Sequence, residues 1–195
     1  TLFFRANDGV HGWELWKSNG SETGTVQVKD IYTGTEGSHP GNFQVIGSTL
    51  YFGADSESYG GELWASDGSE TGTVLVKDAN TGTQDSDPQR FVTAYDIVYF
   101  SADDGENGYE LWKSDGTESG TTLVKDIWSG SNGSNPNNLM MIGDLLYFTA
   151  ETNSEGRELW KSDGTESGTE LVKDINTSSS SWPETFRVLN ETLYF

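Results

Sequence analysis

The feature that most constrains this chain is a motif that returns every 48 residues. Its clearest copy, ELWKSDGTESGT, spans residues 110–121, and the motif glutamates are Glu14, Glu62, Glu110 and Glu158. A fixed period of this length is typical of repeat architectures, because one unit cannot bury its apolar faces alone whereas stacked units can. We therefore treat the chain as a single repeat array with units at about 1–48, 49–96, 97–144 and 145–195.

Each motif copy predicts a β-hairpin. Glu-Leu-Trp is a short run with a large aromatic, which suits a half-buried strand, and an Asp-Gly or Asn-Gly pair follows it. A second glycine four residues later predicts a loop longer than the minimal two-residue turn. The turn pairs are Asn19-Gly20, Asp67-Gly68, Asp115-Gly116 and Asp163-Gly164.

The rest of each unit supplies two more strands. A glycine- and serine-rich connection ends at a proline, and an apolar run and a Leu-aromatic-Phe strand follow. No stretch has helical periodicity, so the fold class is all-β. Four short strands in 48 residues predict a β-propeller built from four-stranded antiparallel blades, with a β-solenoid as the main alternative. The Leu-aromatic-Phe strand occurs five times and the hairpin four times, so we expect about four blades of a longer array.

The strongly acidic charge restricts the partners. The formal net charge is −20, from 31 acidic and 11 basic side chains. Such a surface repels phosphate backbones and anionic membranes, so we expect no nucleic acid and no membrane insertion. No run of apolar residues is long enough for a membrane span.

The fourfold Glu-Leu-Trp-x-x-Asp/Asn-Gly-Ser/Thr pattern resembles the ELWxxDGT repeat of bacterial proteins and covers essentially the whole chain. The order of strands and turns is also similar to kelch blades, although the kelch double glycine is missing. The resemblance implies a bacterial protein that is secreted or displayed at the cell surface, in some members beside adhesion-type domains. It carries over no catalytic or binding residues.

The charged residues recur with the period, which favours a structural role in every unit over catalysis. We expect Glu62 to form a cross-strand or inter-blade ion pair with Lys77, and we predict no catalytic residue. His11 and His39 are the only histidines and lack zinc-site spacing. We predict no cofactor, with calcium as the one candidate.

The calcium candidates are Asp103, Asp104 and Glu106, which place several carboxylates in one short loop. The equivalent loops of the other units do not repeat these carboxylates, so the sequence favours a solvated acidic turn. Two tryptophans outside the motif, Trp128 and Trp182, lie in variable connections and are the candidate ligand-binding residues, because loop aromatics stack on sugars or proteins. The four motif tryptophans are predicted to pack between blades.

These observations lead to a functional hypothesis. We expect a non-enzymatic extracellular scaffold or adhesion module that binds protein or glycan through its loops, because variability is confined to the loops. It could also act as a homo-oligomer or within a large assembly. The alternatives are a purely structural subunit of a cell-surface assembly and a hydrolytic enzyme with its site at the propeller axis.

Overall fold

The computed structural model describes residues 1–195 and contains only β-strands, arranged in five antiparallel sheets. Sheet 1 comprises β1 (Leu2–Asn7), β2 (Trp13–Ser18) and β3 (Val26–Lys29). Sheet 2 comprises β4 (Gly41–Ile46), β5 (Thr49–Ser56), β6 (Gly60–Ser66) and β7 (Thr73–Lys77). Sheet 3 comprises β8 (Gln89–Ala94), β9 (Ile97–Asp103), β10 (Tyr109–Ser114) and β11 (Thr122–Lys125). Sheet 4 comprises β12 (Asn137–Ile142), β13 (Leu145–Thr152), β14 (Gly156–Ser162) and β15 (Glu170–Lys173), and sheet 5 comprises β16 (Arg187–Leu189) and β17 (Thr192–Tyr194).

Sheets 2, 3 and 4 are four-stranded meanders in which every strand pairs with its neighbour in sequence. The predicted all-β class, with four antiparallel strands per period, is confirmed. Each sheet takes its first strand from the end of one sequence unit and the other three from the next, since the first strand begins just after the proline. The structure contains no helix, and hence none long and apolar enough to cross a membrane.

The motif turn is held by its own side chains. Asp67 Oδ1 accepts hydrogen bonds from the Ser69 amide and the Ser69 hydroxyl, both at 2.7 Å. The hydroxyls of Ser66 and Thr73, which are paired at the base of the hairpin, bond to each other at 2.7 Å. The loop is therefore longer than a two-residue turn, as predicted. Hydrogen bonds from its polar side chains stabilise it where the strands no longer pair through their backbones.

The apolar core lies between neighbouring sheets. Trp64 of sheet 2 packs with Leu15 and Val28 of sheet 1, and Trp112 of sheet 3 packs with Leu63 of sheet 2. These two tryptophans are 6% and 5% exposed, and Trp160 is buried in the same way against sheet 3. The prediction that the motif tryptophan packs against the adjoining unit is confirmed for these three copies, while Trp16 of sheet 1 is only half-buried.

The first strand β8 contacts both β4 and β12, and all three begin in an unusual conformation. A register irregularity interrupts each of them near its start, as in a β-bulge. Two positions flank the proline in a left-handed conformation, with φ between 42 and 61°. The residue before the proline is His39, Asp87, Asn135 or Trp182, and the second residue after it is Asn42, Arg90, Asn138 or Thr185.

Candidate ligand-binding grooves between neighbouring sheets

The motif glutamate is a buried acceptor for the connection that leads to the next sheet. The Glu62 carboxylate accepts hydrogen bonds from the amides of Ala79 and Asn80, at 3.0 and 3.1 Å, and from the Ser86 hydroxyl at 2.6 Å. The expected ion pair with Lys77 is therefore wrong, and none of the chain's ion pairs includes Glu62. The reason is that the connection brings N–H groups into the interior, where they need an acceptor.

The other motif glutamates repeat this arrangement. Glu14 binds Ser38, Glu110 binds Ser134 and Glu158 binds Ser181, in each case through the amide and the hydroxyl of the serine. Burial raises the pKa of the Glu14 and Glu110 carboxyls, and it raises the pKa of Glu62 to about 7. These carboxylates fix the path of the connections and so place the residues around the proline.

The repeated lysines tie one sheet to the next. The Lys17 ammonium donates to the Gly68 carbonyl at 2.7 Å, and Lys113 donates to the Gly164 carbonyl at 2.8 Å. Lys29 likewise donates to the Thr73 carbonyl at 2.8 Å. These recurring lysines therefore serve sheet-to-sheet contacts.

Two cavities lie at equivalent places, one sheet apart. The first, here called the acidic groove, has a volume of about 80 Å³ and includes His39, Asn42, Asp55 and Asp87. The second, here called the arginine groove, lies between sheets 3 and 4 and has a volume of about 340 Å³. Its main polar lining residues are Gln89, Arg90, Tyr109, Asn135, Asn137 and Arg157.

Two positions at which the units differ line the grooves. The residue before the motif glutamate is Trp13, Gly61, Tyr109 or Arg157, and the residue after the proline is Gly41, Gln89, Asn137 or Glu184. Gly61, Tyr109 and Arg157 all line one of the two grooves, and so do Gly41, Gln89 and Asn137. A repeated framework thus presents unlike side chains on one surface.

In the arginine groove the two guanidinium groups have different surroundings. Arg157, whose side chain is 13% exposed, donates to the Asn135 carbonyl at 3.0 Å and to Glu151 at 3.3 Å. Arg90 is exposed and takes part in no ion pair. It is therefore a free cation at the groove of a very acidic chain.

Tyr109 links the two grooves. Its hydroxyl donates to the Asp87 carboxylate at 3.0 Å, and burial together with this bond raises the pKa of Tyr109 to about 12. The phenol therefore stays protonated at neutral pH and acts as a hydrogen-bonding group. In the acidic groove, burial raises the pKa of Asp55, and the charge of Asp85 adds to the effect.

The two tryptophans singled out from the sequence lie in different settings. Trp182 is 59% exposed and lies beside the arginine groove, with the Arg157 guanidinium 5.6 Å from its ring centroid. Trp128 is half-buried, its amide donates to Glu110 at 3.0 Å, and it lines none of the four cavities. Sequence reasoning missed Arg90, Tyr109 and Arg157. The signal that could have found them is that, when the four units are aligned, each of these residues differs from the residues at the same position of the other units.

Of the calcium candidates, Asp103 and Asp104 use their carboxylates to bind their own loop. Asp103 accepts a hydrogen bond from the Gly105 amide, and Asp104 accepts bonds from the amides of Glu106 and Asn107 and from the Asn107 side chain. The structure brings no three acidic or histidine side chains together at a distance suitable for a metal ion. Calcium stays an untested candidate, to which the geometry adds no support.

No family model matches the chain, and no curated protein matches it either. Among solved structures it is similar to the crystal structure of the computationally designed Ika8 protein, with 15% identity and a TM-score of 0.47. That match covers 94% of this chain and 50% of the designed one, so the chain spans about half the length of that protein. The class that the structure defines is an all-β protein of repeated antiparallel sheets.

Proposed function

We propose that the sheets are blades of a β-propeller, in which β4, β8 and β12 are the strands nearest the axis. The support is that these first strands contact one another in series while the apolar cores lie between successive sheets. Four-stranded meanders packed face to face around their first strands are the arrangement of propeller blades. The residues around the proline would then lie at one end of the axis.

On this architecture we propose a binding module without enzymatic activity that recognises a protein or a glycan at the outside of a bacterial cell. One observation carries the proposal: two aligned positions that line the grooves hold unlike residues, while most residues that pack or tie the sheets are repeated. A repeated scaffold that presents unlike side chains in a groove is suited to recognition. The extracellular location rests on the resemblance of the motif to the ELWxxDGT repeat.

The experiment is a comparison of the chain with a groove variant on a glycan array and in binding to bacterial and host cells. The variant Gln89→Gly with Tyr109→Gly copies Gly41 and Gly61 from the preceding sheet, so the framework of the repeat is preserved. Glu118→Gln, in an exposed motif turn, is the matched control. We expect the chain and the control to bind and the groove variant to lose binding.

If the chain binds neither the glycan array nor the cells, the binding proposal is contradicted and the purely structural role in a surface assembly is left. Unchanged binding by the groove variant would place recognition elsewhere on the molecule. Circular dichroism and the thermal midpoint of each variant show that it is folded before its binding is compared.

A further inference from the structure

The second position after the proline has a structural use in the repeat. Asn42 donates its side-chain amide to the Pro88 carbonyl of the next sheet at 3.2 Å, and Asn138 donates to the Pro183 carbonyl at 3.5 Å. Both asparagines have left-handed backbones, with φ of 57 and 53°. Asparagine is among the residues that tolerate this conformation best, so the repeat gains a sheet-to-sheet tie at little conformational cost.

Sheet 3 departs from this solution at Arg90. The backbone keeps the left-handed conformation, with φ of 61°, although arginine is not favoured there. No side chain donates to the Pro136 carbonyl in the manner of the two asparagines. Arg90 thus loses a tie and accepts backbone strain, a combination that points to a role in function.

The chemistry of the groove indicates what Arg90 would bind. Only one of the eight lining residues is hydrophobic, so the groove has no apolar subsite for a peptide side chain. Arg90 is unpaired, and the amides of Gln89 and Asn137 and the hydroxyl of Tyr109 lie around the same space. Its volume of about 340 Å³ is at the lower end of the range for small-ligand sites.

We propose that the arginine groove binds a carboxylate-bearing saccharide, with the carboxylate on Arg90 and the sugar hydroxyls on the amides and Tyr109. A planar guanidinium binds a carboxylate through two parallel hydrogen bonds, and amide side chains both donate to and accept from hydroxyls. The exposed face of Trp182 beside Arg157 extends the groove with a ring on which a further sugar stacks. This inference rests on the proposed binding function and names the class of its ligand.

The test is isothermal titration of the chain with trigalacturonate and with its fully methyl-esterified form, which has the same skeleton without the charge. A second pair, sialyllactose and lactose, covers another acidic sugar. We expect one of the acidic probes to bind at least tenfold more tightly than its neutral partner. Equal affinity for the two members of both pairs would overturn the proposal.

The decisive variant is Arg90→Asn, which restores the residue of the neighbouring sheets. We expect it to reduce binding of the acidic probe at least tenfold while the thermal midpoint stays the same or rises, because asparagine suits the backbone and regains the tie. Arg187→Asn removes the same charge from an exposed strand outside the groove and should bind as the parent does. Unchanged binding by Arg90→Asn would overturn the proposal.

The outcomes separate this inference from the broader one. Binding of a neutral glycan or a protein on the arrays, with no binding of either acidic probe, refutes the acidic saccharide and leaves the binding function standing. The absence of binding on the arrays, to cells and in the titrations refutes both the acidic saccharide and the binding function.

Discussion

The Ser86 hydroxyl donates a hydrogen bond of 2.6 Å to the Glu62 carboxylate, although the two residues are 24 positions apart in the sequence. The Glu62 side chain is fully buried. The amides of Ala79 and Asn80 complete its set of donors. One acidic side chain therefore binds both the beginning and the end of the connection between sheet 2 and sheet 3. Every unit has hydrogen bonds of this kind, which explains why the first residue of the motif is glutamate.

Replacing this acceptor should be costly. In Glu62→Gln one carboxylate oxygen becomes an NH₂ group, which would face N–H and O–H donors that it cannot accept from. We expect a loss of about 1–3 kcal/mol in the free energy of unfolding, since leaving a buried donor without its acceptor costs about that much. Urea denaturation measures it, with Glu118→Gln as the exposed control. A variant as stable as the parent would mean that the buried carboxylate is dispensable.

The same group should make stability depend on pH. Burial raises the pKa of Glu62 to about 7 in the folded chain, above its ordinary value of 4.5, with the charge of Asp78 as a minor cause. The folded protein then holds this proton more tightly than the unfolded chain does. The resulting stability is present below pH 4.5 and is lost as the pH rises through 7, by an amount on the order of 3 kcal/mol.

A second set of carboxyls has the opposite effect at lower pH. Hydrogen bonds from Ser69, Thr117 and Thr165 lower the pKa of Asp67, Asp115 and Asp163. Their contribution is present above their unfolded pKa, about 4, and is lost as the pH falls through the folded values. We therefore expect maximal stability near pH 4–5. Urea midpoints from pH 3 to 8 measure the profile, and Glu62→Gln should flatten its decline above pH 5. A midpoint that rises steadily to pH 8 would contradict the assigned shift.

Packing between sheets makes a separate prediction about the motif tryptophans. Trp112 is buried against sheet 2, whereas Trp16 in sheet 1 is only half-buried. Trp112→Ala should cost about 3–5 kcal/mol, the range for removing a large aromatic from a core, and Trp16→Ala clearly less. Chemical denaturation of the two variants gives the comparison. Equal losses would show that the neighbouring sheet is not what stabilises the ring.

The fold was largely predictable because its determinants are local and recur. The Asp-Gly pairs predict the turns, and the motif tryptophans predict packing between units, as Trp64 and Trp112 show. The role of Glu62 was not predictable, because its partner Ser86 lies in the irregular connection and no pattern reveals which loop returns to a strand. Charge periodicity suggested Lys77 as a partner, but burial of amide groups decided the outcome.

The candidate site was predictable only in part. Trp182 does lie beside the arginine groove, but Trp128 does not line it, since two loop tryptophans need not share a surface. Arg90, Tyr109 and Arg157 come from two sheets and meet only through the packing of sheet 3 on sheet 4. That convergence depends on the bulge and the left-handed residues at the proline, which sequence spacing does not specify.

The second glycine of the motif turn allows a final prediction, about why the repeat keeps a glycine at this position. A Cβ at Gly72 would lie 2.1 Å from Asp67 Oδ1, the oxygen that binds Ser69. Gly72→Ala should therefore cost about 2 kcal/mol through local overpacking, whereas Gly41→Ala, whose Cβ would meet nothing nearer than 4.0 Å, should be close to neutral. The double variant Asp67→Ala with Gly72→Ala removes the clashing oxygen, so its cost should be less than the sum of the two single costs. Urea denaturation of the four variants measures this coupling. Strict additivity would mean that the contact with Asp67 is incidental.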